Sequence, residues 1–331
     1  MKRKYWIDYL FSVGGLFIFV LFVGKFYYLW DLKLPLSYDE SYYWDWSRNL
    51  DWGYFSKPPM VAWLIYLSTS LFGTNELAVR FPALLCQTGS LILLYVLVFR
   101  YFGEVIARSF LFTLAFVPIF LLYNFIMTID PPLLFFWSLS FYGLVEFLKR
   151  PSLFWSIFTG IALGAALLTK QTSIMFVLLS ALYLFLFERP YLSQRKTYLI
   201  FLIAFLMYLP NLYWNFTHGL VLLKHSEEHF QRFFPDAEYY LKFWMGLFLL
   251  YGPFFIPLFF YLGFYFLSRL RTFLSLLHHK IKIETTFDLF SLKIINLSFF
   301  FSFLPLLIFL FFSLFVEFNH NWLMPFFLLS Y

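Results

Sequence analysis

Residues 37–63 read SYDESYYWDWSRNLDWGYFSKPPMVAW and form a polar, aromatic stretch between two strongly apolar regions. Six of its side chains are charged and would be costly in hydrocarbon: Asp39, Glu40, Asp45, Arg48, Asp51 and Lys57. The stretch is therefore expected to lie at a membrane surface, within a large first outer loop that we assign to residues 31–75. The remainder of the chain is expected to be its membrane scaffold.

The composition of the 331-residue chain is that of a multi-pass membrane protein. Hydrophobic residues make up 62% of the chain and charged residues only 13%, and the mean hydropathy is +0.76. A soluble domain could not bury that much apolar surface. The net charge of +6 comes from short basic clusters between apolar runs, a pattern that suits membrane headgroups rather than nucleic acid. The single cysteine, Cys86, excludes an intramolecular disulfide and a cysteine metal cage.

Apolar runs long enough to cross a bilayer follow one another along the chain. The first, residues 9–30, is expected to be a retained helix and not a signal peptide, because it is long and lacks a small-residue cleavage site. Further spans are predicted at 76–98, 105–123, 133–148, 153–168, 173–187, 198–213, 240–267 and 292–315. The final run, 322–331, is too short to span. We therefore predict an all-α transmembrane bundle, one domain over residues 1–331, truncated at its C terminus, with short juxtamembrane helices in the first outer loop.

The distribution of charge predicts how these helices are oriented. One alternating set of loops is basic and is expected to face the cytoplasm: it holds Lys2, Arg3, Lys4, Arg100, Arg108, Lys149, Arg150, Arg189, Arg195, Lys196 and the cations of 269–282. The opposite set comprises the first outer loop and residues 128–132, 169–172, 215–240 and 317–322. The unusual polar groups thus fall on one side, which predicts a single outward-facing site in the inner (plasma) membrane.

Asp39 and Glu40 are the first candidate site residues. Ser37 can cap a short helix that runs to Arg48, and carboxylates are favourable in the first turn of a helix, so capping and solvation can explain the pair. Nearby rings can anchor the loop at the membrane interface or stack on sugars; they include Tyr38, Tyr42, Tyr43, Trp44 and Tyr54. A carboxylate in such a half-dry setting is also a candidate general base for a hydroxyl.

Cations and a third acid occur in the same set of outer loops. Lys57 precedes Pro58 and Pro59, which exclude helix there, so its ammonium could meet a phosphate or reach lipid headgroups. Asp130 precedes two prolines and is either an N-cap or a second acid. Lys170 is either a partner of a helix C terminus or a second phosphate ligand. Arg80 is expected to pair with Glu76 at helical spacing.

Two later segments carry further candidates. Residues 225–229 match H-x-x-E-H, a pattern seen in some zinc peptidases, although so short a match is weak. His229 and Arg232 are three residues apart, which allows both to point at an anion from one face of a helical turn. Residues 319–322, which include His320 and Trp322, could form a solvated turn or could close the site with hydrogen-bond donors and a ring. No Walker A motif or dinucleotide fingerprint is present, which argues against a nucleotide-driven enzyme or pump.

Taken together, six motifs resemble those of the GT-C superfamily, whose members transfer sugars from polyprenyl phosphates. The motifs are Asp39-Glu40, the YFSKPP run of 54–59 followed by Trp63, FGTNELAVRFP at 72–82, DPPLLFFW at 130–137, Leu168-Thr169-Lys170 and NWLMP at 321–325. More narrowly, the chain resembles the group that contains protein O-mannosyltransferases and lipid A aminoarabinose transferases.

This resemblance implies roles for the candidate residues. In such families the aspartate of the first outer loop is the proposed catalytic residue, which implies Asp39, with Glu40 beside it. Basic side chains hold the lipid-linked phosphate, which implies Lys57, Lys170, His229 and Arg232. The sugar and acceptor pocket is expected to include Tyr42, Tyr43, Tyr54, Asp130, His320 and Trp322.

The chain departs from the aminoarabinose transferases in two respects. Those enzymes typically have a glutamate before Lys-Pro-Pro that helps to bind a metal, whereas Ser56 stands there in this chain. A divalent metal cofactor is therefore left open, and no metal ligand is assigned. The soluble C-terminal portion that is usual in the family is also missing from the sequence, which bears on how the acceptor is recognised.

The function expected from these residues and the resemblance is transfer of a sugar from a polyprenyl phosphate to a hydroxyl or phosphate on lipid A, an envelope glycan or a protein. Asp39 would act as base and the cations would neutralise the leaving phosphate. The competing class is a transporter or flippase of lipid-linked sugars. Such a protein should carry ionisable residues near mid-membrane, whereas the predicted spans have few.

Overall fold

The structure, a computed structural model, describes residues 9, 11–31, 34–122, 125–221, 224, 235–252, 261, 263–264, 289–317 and 320–327. Over these residues the regular secondary structure is entirely helical, which confirms the predicted all-α class. The α-helices are α1 (Val13–Asp31), α2 (Tyr38–Ser47), α3 (Met60–Phe72), α4 (Glu76–Phe102), α5 (Glu104–Ala115), α6 (Pro118–Leu122), α7 (Asp130–Lys149), α8 (Leu153–Thr169), α9 (Ile174–Phe187), α10 (Arg195–Thr217), α11 (Ala237–Tyr251), α12 (Leu289–Phe312) and α13 (Met324–Phe327). Short 3₁₀ turns lie at Gln171–Ser173, Arg189–Ser193 and His320–Leu323.

Five of the described helices are long and apolar enough to cross a membrane: α1, α4, α7, α10 and α12. The helices α3, α8 and α9 are apolar but shorter. These lengths agree with the predicted membrane bundle, and α2 and α3 confirm the short helices predicted in the first outer loop.

The chain divides into two compact units. The first unit contains Met1–Phe116 and Phe120–Gln231, and within it α8 packs against α7 and α10, while α4 packs against α1, α5 and α7. The short helix α3 packs against α2, α4 and α8. The described candidate site residues of this unit lie on these helices or in the loops between them.

The second unit contains Val117–Ile119 and Arg232–Tyr331. In it α12 packs against α13, and α11 packs against the His320–Leu323 turn. The backbone N–H of Asp236 donates to Leu314 O at 2.8 Å, and the Lys242 ammonium lies 2.9 Å from Glu238 and 3.4 Å from Glu317. These contacts join the start of α11 to the residues that follow α12.

Capping side chains begin the helices of the first outer loop. Ser37 accepts from the N–H of Glu40, and the Glu40 carboxylate accepts from the N–H of Ser37, so α2 begins with a complete capping box. Asn75 accepts from Ala78 N at 2.8 Å and begins α4. Local sequence thus fixes where the chain enters both helices.

The predicted span at 105–123 is wrong as one continuous helix. The helix α5 ends at Ala115, and α6 begins anew at Pro118. Proline lacks an N–H and disfavours helical backbone at the residue before it, which explains the break. The preceding junction turns at Gly103, whose φ of 89° favours glycine.

Candidate functional site

The loops at one end of the first unit bring three of the predicted site residues within electrostatic reach of a fourth, Lys57. Asp39 is exposed on the first turn of α2, and Lys57 is half-buried in the non-helical segment before α3. Asp130 begins α7, and Lys170 ends α8. The charges of Lys170, Asp130 and Asp39 all influence the pKa of the Lys57 ammonium. Charge bias alone had predicted that these loops share one face of the membrane.

Lys170 and Asp130 form a buried ion pair. The Lys170 Nζ lies 3.0 Å from Asp130 Oδ1, and the two residues are 4% and 1% exposed. The N-cap role predicted for Asp130 is wrong, because Ile129 occupies the cap position and the Asp130 carboxylate reaches across to α8 instead. Each charge needs the other, since an unpaired ion is costly in a buried position.

Lys57 is a half-buried cation that interacts electrostatically with both members of this pair. Burial and the positive charge of Lys170 lower the pKa of Lys57 to about 8, against the opposing attraction of Asp130 and Asp39. The backbone of the segment is fixed, because Tyr54 N donates to Lys57 O at 3.1 Å and Pro58 and Pro59 follow. The non-helical backbone predicted from the two prolines is confirmed.

Glu40 is held very differently from Asp39. Its side chain is 0% exposed, and both its oxygens contact Arg80, with Oε1 2.8 Å from Nε and Oε2 2.9 Å from Nη2. Oε2 also accepts from Ser37 N and Oε1 from Met127 N. Burial alone would raise the pKa of Glu40, but the hydrogen bonds from Arg80, Ser37 and Met127, together with the charge of Arg80, hold this pKa below its ordinary value.

Arg80 therefore does not form the predicted pair with Glu76. Its remaining N–H groups donate to the carbonyls of Leu34 at 3.1 Å and Pro35 at 3.0 Å. The Glu40–Arg80 pair consequently ties α2, α4, the end of the segment after α1 and the segment before α7 together. The partner lies 40 residues away, so helical spacing could not reveal it.

The predicted pocket tyrosines occupy different environments. Tyr43 is buried in an apolar cluster with Trp46, Ile65 and Val79. Tyr54 stacks on Trp46 with ring centroids 4.6 Å apart, and its hydroxyl donates to the carbonyls of Trp46 and Asn49. Tyr42 is half-buried. Of the three rings, Tyr42 is thus the most accessible to a ligand.

The other predicted site residues cannot be compared with these. His229 and Arg232, together with the H-x-x-E-H segment, lie outside the described residues. His320 and Trp322 lie in the 3₁₀ turn of the second unit. Their predicted roles in phosphate binding and in the pocket stay predictions.

Ser56 does not fit the metal-binding role of the glutamate that the aminoarabinose transferases have at this position. Ser56 is buried and offers a single hydroxyl, whereas hard cations prefer several carboxylate or carbonyl oxygens. The described part of the chain contains no group of three His, Cys, Asp or Glu side chains that could hold a metal ion.

Asp51 takes part in a set of contacts that was not predicted from the sequence. The Trp214 indole Nε1 donates to Asp51 Oδ2 at 2.7 Å, and the Asn211 amide donates to Trp52 O at 2.6 Å. Both residues lie near the end of α10, one helical turn apart. Their spacing of three residues near the end of an apolar helix was the available signal.

Comparisons with known proteins agree with this architecture. Residues 56–214, slightly less than half of the chain, match the family described as dolichyl-phosphate-mannose-protein mannosyltransferase. The lipid A galacturonosyltransferase RgtD of Rhizobium johnstonii is 30% identical over 218 residues, which cover 65% of this chain and 46% of RgtD. The chain thus spans about half the length of this relative.

Two solved structures have a similar fold. ArnT from Cupriavidus metallidurans in the apo state superimposes with a TM-score of 0.66 at 18% identity, over 96% of this chain and 57% of ArnT. ArnT bound to undecaprenyl phosphate gives 0.64 at 19% identity, over 96% and 59%. With the family match and RgtD, these structures confirm the resemblance to GT-C superfamily glycosyltransferases.

Proposed function

We propose that the protein transfers a sugar from a polyprenyl phosphate to lipid A on the outer face of the membrane. The observation that carries the proposal is the grouping of Asp39 and Lys57 beside the Asp130–Lys170 pair at one end of the first unit. A base and a cation are the two groups that such a transfer requires. The choice of lipid A as acceptor rests on the likeness to RgtD, and that of the donor on the likeness to ArnT with bound undecaprenyl phosphate.

In the proposed reaction Asp39 takes the proton from the acceptor hydroxyl. The acceptor oxygen then forms a bond to the anomeric carbon, and the bond from this carbon to the phosphate oxygen breaks. The electron pair leaves with the polyprenyl phosphate. A single displacement inverts the anomeric carbon and needs one positioned base, because a phosphate leaves without being protonated.

Lys57 is proposed as the main electrostatic partner of the leaving phosphate. Lys170 already has a carboxylate at 3.0 Å, so its charge is partly compensated by Asp130. Lys57 is half-buried, which strengthens its attraction to an anion compared with a fully hydrated ammonium. A positioned cation of this kind stabilises charge that develops in the transition state.

Glu40 is proposed to position Asp39 without acting as the base. Its two oxygens are already engaged by Arg80, Ser37 N and Met127 N. A carboxylate with these partners is a poor proton acceptor, because protonation would weaken each hydrogen bond. Its task would be to fix the first turn of α2, which carries Asp39.

The test is transfer to lipid A by the purified protein in proteoliposomes, with a panel of undecaprenyl-phosphate sugars. Asp39→Asn should lower kcat by about 10²–10⁴-fold, the usual contribution of a general base. Asp45→Asn is the matched control, because Asp45 is an exposed acid on the same helix. Equal rates for Asp39→Asn and the wild type would remove Asp39 from the chemistry. Movement of the lipid-linked sugar across the bilayer without product would instead indicate a transporter.

A further inference from the structure

Three tryptophans surround Asp51 in the segment that leads to Lys57. Trp52 N donates to Asp51 Oδ1 at 2.6 Å, and the Trp214 indole donates to Oδ2 at 2.7 Å. The Trp63 indole donates to the backbone carbonyl of Asp51 at 3.1 Å. We call Asp51, Trp52, Trp63 and Trp214 the Asp51 cluster. None of these residues has a role in the reaction proposed above.

The backbone of the cluster is held firmly against α10. The buried Asn211 amide donates to Trp52 O at 2.6 Å. A Cβ on Gly53 would lie 2.5 Å from a carbon of the Trp214 ring, so only glycine permits this approach. The rings and the carboxylate are thus fixed before any ligand binds, which reduces the entropy cost of binding.

The cluster is accessible despite these contacts. Trp52 is 47% exposed, its ring stands at 84° to the Trp63 ring at 5.1 Å, and the Asp51 side chain is exposed. Each Asp51 oxygen has one donor and so can accept another hydrogen bond. An exposed carboxylate between aromatic rings suits a neutral polyhydroxyl ligand, whose hydroxyls donate while its C–H face lies on a ring.

Anchoring to lipid headgroups explains these features less well. Interfacial tryptophans usually direct the indole N–H toward the headgroups. Here the N–H groups of Trp63 and Trp214 point to Asp51 instead.

The cluster lies on the same chain segment as Lys57 of the proposed reaction centre. Trp52 and Lys57 are five residues apart, and the Tyr54 N to Lys57 O hydrogen bond closes the segment between them. Five residues of chain reach at most roughly 17 Å. A glycan headgroup on the cluster would therefore lie within that distance of Lys57.

We propose that the Asp51 cluster binds a sugar ring of the acceptor headgroup. The inference rests on the proposed function, and it specifies where the acceptor is recognised. Asp51 accepts a hydroxyl of the sugar, and the Trp52 ring covers the apolar face of the same sugar. Trp63, Trp214 and Asn211 position these two groups.

The test is steady-state transfer with lipid A as the varied acceptor and then with the lipid-linked sugar as the varied donor. Trp52→Ala and Asp51→Asn should each raise the KM for lipid A about tenfold, the equivalent of roughly 1.4 kcal/mol, with the donor KM and kcat nearly unchanged. Trp52→Tyr should restore most of the loss, because it keeps an aromatic face. Trp30→Ala is the matched control, since Trp30 is an exposed tryptophan at the outer end of α1.

An unchanged acceptor KM in Trp52→Ala, or an equal rise in Trp30→Ala, would overturn the inference in favour of membrane anchoring. A rise confined to the donor KM would overturn it in favour of a donor subsite. If the wild type transfers no sugar, the proposed function fails separately. De-acylated lipid A headgroup then tests the subsite alone: quenching of tryptophan fluorescence that Trp52→Ala abolishes supports it, and no binding to the wild type overturns it.

Discussion

Asp39 and Glu40 are neighbours in the sequence, but the fold gives them opposite surroundings. Asp39 is exposed at the proposed site, whereas Glu40 points inward to Arg80 and two backbone N–H groups. Successive helical residues lie about 100° apart around the axis, so adjacent acids can face water and core. The two adjacent acidic residues thus provide one exposed carboxylate, on Asp39, and one structural carboxylate, on Glu40.

The buried Glu40–Arg80 pair should be important for the stability of the fold. Glu40→Ala leaves the Arg80 guanidinium buried without its carboxylate, and we expect a loss of about 3–5 kcal/mol in the free energy of unfolding. Asp45→Ala breaks an exposed contact to Arg48 at 3.6 Å and should cost less than about 1 kcal/mol. Thermal unfolding in detergent would compare the two variants. Similar melting temperatures would contradict the structural role of Glu40.

The affinity for the donor should depend on the ionisation of Lys57. The pKa of Lys57 in the free protein is about 8, so the ammonium is charged below this pH and becomes neutral above it. The proposed phosphate contact therefore weakens as the pH rises through about 8. Binding of undecaprenyl phosphate, measured between about pH 6.5 and pH 9.5, should show this loss.

Lys57→Arg supplies the control for the pH profile. Arginine stays charged throughout this range, so its variant should keep a flat profile even where its absolute affinity is lower. An identical fall in affinity for the wild type and Lys57→Arg would assign the pH dependence to another group.

At the scale of elements, glycine allows α8 to pack closely against α10. A Cβ on Gly160 would lie 2.8 Å from Ile203 Cβ and 2.9 Å from the Ile200 carbonyl oxygen. Small residues permit such close approach between helices in membranes, where dispersion contacts and not the hydrophobic effect hold helices together. These helices end in Lys170 and carry Trp214, so their packing also sets the distance between the site and the Asp51 cluster.

Gly160→Ala should therefore destabilise the protein by about 1–3 kcal/mol, the usual cost of overpacking. Gly24→Ala is the matched control in α1, because a Cβ there meets nothing within 4 Å. Alanine favours helix over glycine by up to about 1 kcal/mol, so this control should be neutral or stabilising. Melting temperatures of the two variants should move in opposite directions, and a stabilised Gly160→Ala would disprove the close packing.

At the scale of the whole molecule, polar groups collect at two ends of the first unit. One end contains Asp39, Lys57 and the Asp130–Lys170 pair. The other contains a network in which Arg100 Nη1 and the Tyr101 hydroxyl each lie 2.7 Å from Glu146 Oε1. The basic character of this second end predicts that it faces the cytoplasm.

Labelling of single cysteines would test this orientation. In a Cys86→Ala background, Asn49→Cys lies in the first outer loop and Ser193→Cys lies in the turn after α9; both positions are exposed. A membrane-impermeant maleimide applied to right-side-out spheroplasts should label Asn49→Cys and spare Ser193→Cys until the membrane is opened. The reverse pattern would place the proposed site in the cytoplasm and contradict the proposed reaction.

The sequence by itself determined the class of protein, most helices and the loops that carry the proposed site. Composition excluded a soluble domain, apolar length set the spans, and Ser37 and the prolines after Lys57 fixed local backbone. These features depend on residues close together in the chain, whose effects are local. Two spans were exceptions: the 105–123 helix is interrupted before Pro118, and the helix predicted at 240–267 ends at Tyr251, before Gly252 with its φ of 85°.

Only the tertiary structure decided which charged groups pair. Arg80 binds Glu40 and not Glu76, and Asp130 binds Lys170 instead of capping its helix. In both pairs the partners are 40 residues apart. The Asp51 contacts to α10 span about 160 residues, so the spacing of Asn211 and Trp214 could not reveal their partners. Such pairings depend on how helices pack, and a buried ion or amide takes whichever partner that packing brings within reach, because an unpaired group would be costly.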